Sequence, residues 1–568
     1  MKNIRFIILI LGALLFLNVF SLGVFSQCTN VVCGKDATVD GSVMVLRNSD
    51  TMDTDFRLVY VPAKDHKLGD MRPVYQKYPL NYPRYVMRGR AWAYEPVNGQ
   101  VPYEPIGFIP QVEHTFAIWE TSQGLRNEHQ LGIGEATCRS KPGKGISLPE
   151  GAALFSNSIV NRIAMERCRT AREAVQLMGD LCVEYGYYAN AEALIVIDPN
   201  EAWIFNVMPD DTEKSAVWAA QRVPDDECAA VANQLTIGEI DLNNPDYFMA
   251  SDNVYEVAER QGWWKPGEVF SFKRVYTEGE SSKYSSARRH WRFYDLVAPS
   301  LKLSPWVKDA YNDEYPFSIK PDKKISVQDL LQMSRDVLEG TEFDLTKGPA
   351  AGPYGSPYRY GGTMKGDEKV KGKWERSLST ISNNYSVVHV ARSWLPDEIG
   401  GVSWFGASKN KITTFVPFYC GINDLPKCYQ TGHMLEFNRN SAWWAFTFVT
   451  DLVDKQWSVR FGEVKELQEK LENKQFALQP AIESVALELY KVDPELAREF
   501  LTDYCQNNAN NVVDAYWELA DKLIVKYRNN RLNTFNEEIG RGKSTSIGYP
   551  AWWLKSVGYE KGVGDYTE

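Results

Sequence analysis

Histidine is scarce in this sequence: His66, His114, His129, His290, His389 and His433 are the only six in 568 residues. None lies in an HExxH motif or a paired metal-binding spacing, which argues against a metallopeptidase and against any metal partner. A GxSxG elbow, a Walker A loop and the local context of a papain-like cysteine are also missing. Positive charge is in the minority, with 63 Lys and Arg against 73 Asp and Glu; the net charge of -10 disfavours nucleic acid as a partner. There is no low-complexity tract and no internal repeat, so linker-like and solenoid architectures are set aside.

What is present is the composition of a packed protein. Hydrophobic residues make up 44% and aromatics 13%, including 17 Trp and 30 Tyr, which suits a large interior or a substrate cleft. A chain this long is expected to divide, here into one large catalytic domain and a helical appendage. At the N-terminus, Lys2 and Arg5 precede a nearly unbroken apolar run from Phe6 to Phe25, the layout of a signal peptide. Export to the periplasm or the extracellular space is the expectation, with an uncleaved anchor as the alternative because the run is long enough to span a bilayer. Small residues allow a cut after Gly23 or Ser26, leaving a short extension before Cys28. A second, self-catalysed cut at Gln27-Cys28 would then free the Cys28 amine. Lipoprotein processing is disfavoured because Gln27 stands where that pathway needs a small residue.

Nine cysteines include Cys28, and setting it aside leaves an even number that an exported protein can oxidise. Cys420 and Cys428 are near enough in sequence to bridge a short loop. Cys28-Thr-Asn-Val-Val-Cys33 and Val43-Met-Val-Leu46 are β-prone and flank the turn dipeptide Asp40-Gly41. The hairpin this predicts brings Arg47-Asn48-Ser49-Asp50 opposite Cys28. A free α-amine titrates at about 8 and a thiol at about 8.5, so the amine of Cys28 can relay the proton of its own side chain. Arg47 would favour the thiolate by charge, and Asp50 could orient the amine. Without a free N-terminus, the same residues read as a solvated charge pair on an edge hairpin.

Cys28-Thr29, Gly34, Asp40-Gly41 and Arg47-Asn48-Ser49-Asp50 together resemble the opening of the N-terminal-nucleophile cysteine dipeptidases of the lactobacillal dipeptidase A type, distant relatives of penicillin V acylases and bile salt hydrolases. The segment from Gly124 through Asn127-Glu128 to Gly134-Glu135 resembles a family strand in which the acylase relatives place an oxyanion asparagine, matched here by Asn127. Val231-Ala-Asn233-Gln234 resembles the segment of the second asparagine, Asn233. Ser285-Ser286-Ala-Arg288-Arg289 resembles the arginine-rich stretch, with Arg289 at the active-site position. Taken alone, each asparagine also reads as a structural turn or strand-end residue.

The resemblance implies an α+β fold of four αββα layers over residues 28–455, no cofactor and a small peptide as substrate. Cleavage of bile salts or other acyl amides, or a non-catalytic exported surface role, are the alternatives. Thr170-Ala-Arg-Glu173 is a capping box, followed by an apolar face of Val175, Met178, Leu181 and Cys182. Residues 456–568 change character: apolar spacing from Val464 to Asn529 predicts two or three helices, with Asp493-Pro494 as a start. Glu466 to Lys474 reads as a solvated face. These helices are expected to shape the cleft or to support assembly into a homo-oligomer.

Overall fold

The computed structural model describes residues 28–51, 54–76, 82–279, 283–363, 370 and 372–562. The signal-peptide expectation, residues 1–27, lies outside the described residues.

The opening hairpin forms as its local sequence dictates. Strands β1 (Thr29–Cys33) and β2 (Val43–Asp50) pair antiparallel, Thr29 with Asn48, Asn30 with Arg47 and Cys33 with Met44. In the turn, Asp40 Oδ1 accepts the Ser42 N–H at 3.1 Å, the local bond that makes Asp a turn former. The other strands of the two large sheets, in chain order, are β3 (Val59–Val61), β4 (Ile118–Glu120), β5 (Gly124–Asn127), β6 (Gly132–Thr137), β7 (Glu192–Ile197), β8 (Ala202–Pro209) and β9 (Ala216–Arg222). After these come β10 (Cys228–Val231), β11 (Phe248–Ala250), β12 (Asn383–Ala391), β13 (Val402–Ala407) and β14 (Val416–Tyr419). One sheet has six strands in the order β10-β1-β2-β12-β13-β14, the other eight in the order β11-β9-β8-β7-β6-β5-β4-β3. Antiparallel pairing runs throughout both, consistent with the α+β class.

Side chains alternate across each strand, and this decides which residues meet. Val32, Val43 and Val45 of the six-stranded sheet share a core with Ala193, Ile195, Ile197 and Ile204 of the eight-stranded one. The two sheets approach closely where β6 crosses β1: a Cβ on Gly134 would stand 2.8 Å from Asn30 Oδ1 and 3.2 Å from Val45 Cγ2. Glycine is what permits that approach.

Helices bury the opposite faces. Helices α1 (Asn157–Arg167) and α2 (Ala171–Tyr185) cover Leu194, Val196, Trp203, Phe205 and Trp218. The Thr170 capping box starts α2: the Glu173 N–H donates to Thr170 Oγ1 at 3.2 Å, and Glu173 Oε2 accepts the Thr170 N–H at 3.2 Å. Met178 and Cys182 are core residues, as their spacing predicts. On the six-stranded sheet, Leu46, Val388 and Trp404 pack with Phe293 of α3 (Lys283–Val297), Leu330 of α4 (Val327–Ser334) and Phe446 of α5 (Ala442–Asp454).

Two long helices complete that layer, α6 (Trp457–Val492) and α7 (Pro494–Lys526). Asp493 caps α7 by accepting the Glu495 N–H at 3.0 Å, and Pro494 occupies its first turn. The boundary expected near 455 falls between α5 and α6, yet Val464, Ala486, Leu501, Cys505 and Tyr516 belong to the same hydrophobic core as the sheet. The reading of Glu466–Lys474 as a solvated face is corrected at Glu472, which is buried and ion-paired with Arg335. A charge pattern alone cannot reveal a buried partner more than a hundred residues away. Beyond α7, the short hairpin of strands Arg531–Asn536 and Arg541–Ser546 leads to α8 (Ala551–Ser556), where Tyr549 and Trp552 are exposed. Among the described residues no helix is long and apolar enough to cross a membrane.

Candidate active site

Cys28 lies at the entry to β1, fully buried, with its side chain on the face directed at the second sheet. Alternation puts Arg47 of β2 on that same face. The Cys28 thiol is directed at Glu135 Oε2, 3.7 Å away, and Arg47 Nη2 donates to the same oxygen at 2.7 Å. Glu135 is held from several sides: Gln123 Nε2 donates to Oε2 at 3.0 Å, Asn157 Nδ2 to Oε1 at 2.9 Å and Thr137 Oγ1 to Oε1 at 3.2 Å. Burial would lower the Arg47 pKa, but Tyr385, Glu135 and Cys28 outweigh it and hold the guanidinium above its ordinary value.

Arg289 reaches the cysteine from α3. Its Nη1 donates to the Cys28 carbonyl at 2.8 Å and to Thr29 Oγ1 at 2.7 Å. Through Nη2 it donates to the Ala232 carbonyl at 3.1 Å and to Asn233 Oδ1 at 2.8 Å. One guanidinium thus ties the start of β1 to the loop after β10. Burial and the nearby Arg376 push its pKa well below the ordinary value, while Asp50 and Cys28 pull it up; a guanidinium stays charged under such pressure. Asn233 takes φ +61 and gives its amide to the Thr137 carbonyl at 2.7 Å. The Ala232 N–H donates to His290 Nε2 at 3.1 Å, which fixes His290 as a neutral acceptor; burial, with Arg289 and Lys273, pushes its pKa down to about 3.

Asp50 ends β2 and accepts Arg376 Nη2 at 2.7 Å and Asn383 Nδ2 at 3.2 Å. Burial raises its pKa against the opposing influence of Arg376 and Arg289. Three guanidinium groups, Arg47, Arg289 and Arg376, therefore sense the charge of Cys28, and each favours a thiolate there. The structure brings Cys28, Arg47, Asp50, Asn233 and Arg289 into one connected cluster.

Asn127 is the correction. Its Nδ2 donates to the Met165 and Cys168 carbonyls at 3.0 and 2.8 Å, and its Oδ1 accepts the His129 and Leu131 N–H groups at 3.0 and 3.2 Å. Its amide hydrogens are committed to the C-terminal end of α1 and its lone pairs to the turn after β5, so it has nothing to offer an oxyanion. The bridge expected between Cys420 and Cys428 is also absent: both are free thiols, and Cys420 Sγ accepts Arg126 Nε at 3.0 Å.

Two members of the cluster were missed in the sequence, Glu135 and Arg376. A carboxylate within Gly132-Ile-Gly134-Glu135-Ala, on a buried strand, was the available signal for the first, because acidic residues are depleted from strands. For Arg376 the available signal was its segment, Glu375-Arg-Ser-Leu-Ser-Thr380, which resembles a stretch of the same family.

The profile of peptidase family C69 matches residues 27–470, most of the chain and the whole of the cluster. The chain belongs to peptidase family C69. Similar proteins include a probable dipeptidase of Latilactobacillus sakei, 25% identical over 71% of this chain and 76% of its own. A dipeptidase of Bifidobacterium longum is 24% identical over 78% of this chain and 80% of its own. A probable dipeptidase A of Streptococcus pyogenes is 21% identical over 88% and 97%.

Proposed function

We propose that this C69 member is an exported cysteine dipeptidase whose nucleophile is Cys28, made N-terminal by processing. The observation that carries the reading is the convergence of Arg47, Arg289 and Glu135 on Cys28, a buried thiol whose main-chain carbonyl is itself clamped. The family match opening at Gln27, one residue before that cysteine, supports removal of what precedes it. The dipeptidase names of the relatives support a small peptide as substrate.

In this reading the residues divide the chemistry among them. The Cys28 sulfur attacks the scissile carbonyl, and the α-amine of the same residue takes the thiol proton and passes it to the leaving amine. Arg47 favours the thiolate and Glu135 fixes Arg47. Asp50, with Arg376, orients the amine. Asn233, positioned by Arg289, and backbone donors receive the oxyanion, and water then resolves the thioester. The two facing sheets with helices outside them are read as the four-layer N-terminal-nucleophile fold over 28–455, with 456–568 as a helical extension that closes the core.

Mass analysis of the secreted protein's N-terminus, run beside a dipeptide hydrolysis assay, tests this. A terminus at Cys28 with turnover, lost in Cys28→Ala by a factor on the order of 10⁴ while the fold is kept, is the expected result. An active enzyme that begins upstream, or a lipidated Cys28, overturns it. Cleavage of acyl amides with dipeptides untouched would move the substrate class to the acylase relatives.

A further inference from the structure

Two thiols outside the active site meet across the edge of the six-stranded sheet. Cys33 closes β1 and Cys228 opens β10, and they are direct partners in the antiparallel ladder. The neighbouring pair carries the ladder bond, with the Gly34 N–H donating to the Glu227 carbonyl at 3.0 Å. Cys228 directs its own backbone the other way, exchanging N–H and C=O with Ile319 at 2.7 and 2.8 Å. Cys33 and Cys228 are thus a non-hydrogen-bonded pair, the kind in which opposing side chains lie closest. The Cα separation of such a pair, about 4.5 Å, lies inside the span a disulfide bridges. The Cys228 thiol donates to Cys33 Sγ at 2.9 Å, and both residues are fully buried.

We propose that Cys33 and Cys228 form a redox pair that closes into a disulfide on contact with a disulfide-bearing oxidant such as oxidised glutathione. One cysteine loses its proton and its thiolate attacks the oxidant, forming a mixed disulfide and expelling one thiolate. The second cysteine, also deprotonated, attacks the protein sulfur of that mixed disulfide and expels the other. Two protein thiols are oxidised to one S–S bond, the oxidant is reduced to two thiols, and the two protons pass to them. Burial raises the Cys228 thiol pKa well above its ordinary value, so exchange proceeds as the strands open or as the chain folds, not in the closed sheet.

The position gives the bond a consequence for the active site. β1 begins at the nucleophile and β10 ends at the Ala232-Asn233 loop, and Arg289 clamps those two ends together. A bridge between Cys33 and Cys228 fastens the opposite ends of the same two strands. β10 is the edge strand of its sheet, its outer flank held at Cys228 by the two bonds to Ile319, and the bond joins residues 195 positions apart, where a crosslink restricts the unfolded chain strongly.

The test is to equilibrate the full-length protein with oxidised glutathione near its unfolding midpoint, cool it, alkylate remaining thiols in denaturant and map the peptides by mass spectrometry. The expected result is a Cys33 peptide joined to a Cys228 peptide, lighter by ~2 Da than the sum of the two thiol forms. The oxidised protein should also melt roughly 5 °C above the reduced one, a shift that vanishes in the Cys33→Ala/Cys228→Ala variant. Alkylation of both residues after equilibration, glutathione retained on either one, or a bridge from either to another cysteine overturns the proposal. The peptide map is made on the unsubstituted protein, so it decides the question even if the variant fails to fold.

Discussion

Glu135 receives the Arg47 guanidinium at 2.7 Å on the same carboxylate oxygen that faces the Cys28 sulfur at 3.7 Å. Both partners are buried, so removing one charge leaves the other without its counter-ion. Glu135→Gln keeps the shape and loses the charge; it is expected to fold and to lower kcat about 100-fold. Glu135→Ala is expected to cost roughly 3–5 kcal/mol of stability, because it removes the oxygens that accept from Arg47, Gln123, Asn157 and Thr137 as well as the charge. Dipeptide turnover and urea denaturation of both variants check this, and a wild-type kcat in Glu135→Gln would remove the carboxylate from the mechanism.

The two asparagines are expected to separate cleanly. Asn127→Ala strips four buried hydrogen bonds, two from the turn after β5 and two from the end of α1, and should cost roughly 2–3 kcal/mol while leaving kcat of the folded enzyme unchanged. At Asn233 the backbone is left-handed, so glycine is the substitution that removes the side chain without adding strain. Asn233→Gly should lower kcat by about 100- to 1,000-fold. The assignment fails if the larger kcat loss belongs to Asn127.

His290 sets an acid limit. Its folded pKa is pushed down to about 3 from 6.5, so between those values the unfolded chain binds more protons than the folded one. Its contribution is therefore full above the higher value and is lost as pH falls toward the lower, by at most about 1.4 kcal/mol per pH unit. His290→Gln retains an acceptor for the Ala232 N–H and does not titrate. Denaturation curves collected from roughly pH 6 to pH 4 should show a shallower loss of stability in the variant; parallel curves would refute the assignment.

Gly179 is expected to resist a substitution that helix propensity favours. Alanine should add about 1 kcal/mol to α2 by propensity alone. A Cβ there would stand near Trp218, 2.5 Å from Cζ2 and 2.6 Å from Nε1, in a core with no slack. The net expectation is a loss of about 1–2 kcal/mol, read as a lower Tm. A more stable Gly179→Ala variant would show that the ring yields.

Legibility followed distance along the chain. The β1–β2 hairpin, the Thr170 capping box and the Asp493-Pro494 helix start were all readable, because each is decided by residues within a few positions of one another. Arg47 followed from the hairpin register, but Arg289 was readable only through the family resemblance, since the contact from α3 to Cys28 spans 261 positions. Asn127 misled for a physical reason: a polar side chain on a strand end can serve a ligand or the surrounding fold, and here its four bonds go to its own turn and to the end of α1. Glu135 and Arg376 went unread because nothing near them in sequence says which way a buried charge points.

Strand β2 is sandwiched between β1, which precedes it, and β12, which begins only at Asn383. A ribosome must therefore deliver well over half of the polypeptide before the strand bearing Arg47 and Asp50 gains its second neighbour. Partial chains, whether nascent or truncated, carry Cys28 without the frame that surrounds it. Such fragments should be inert toward peptides, which keeps an unfinished hydrolase from acting while it is being made.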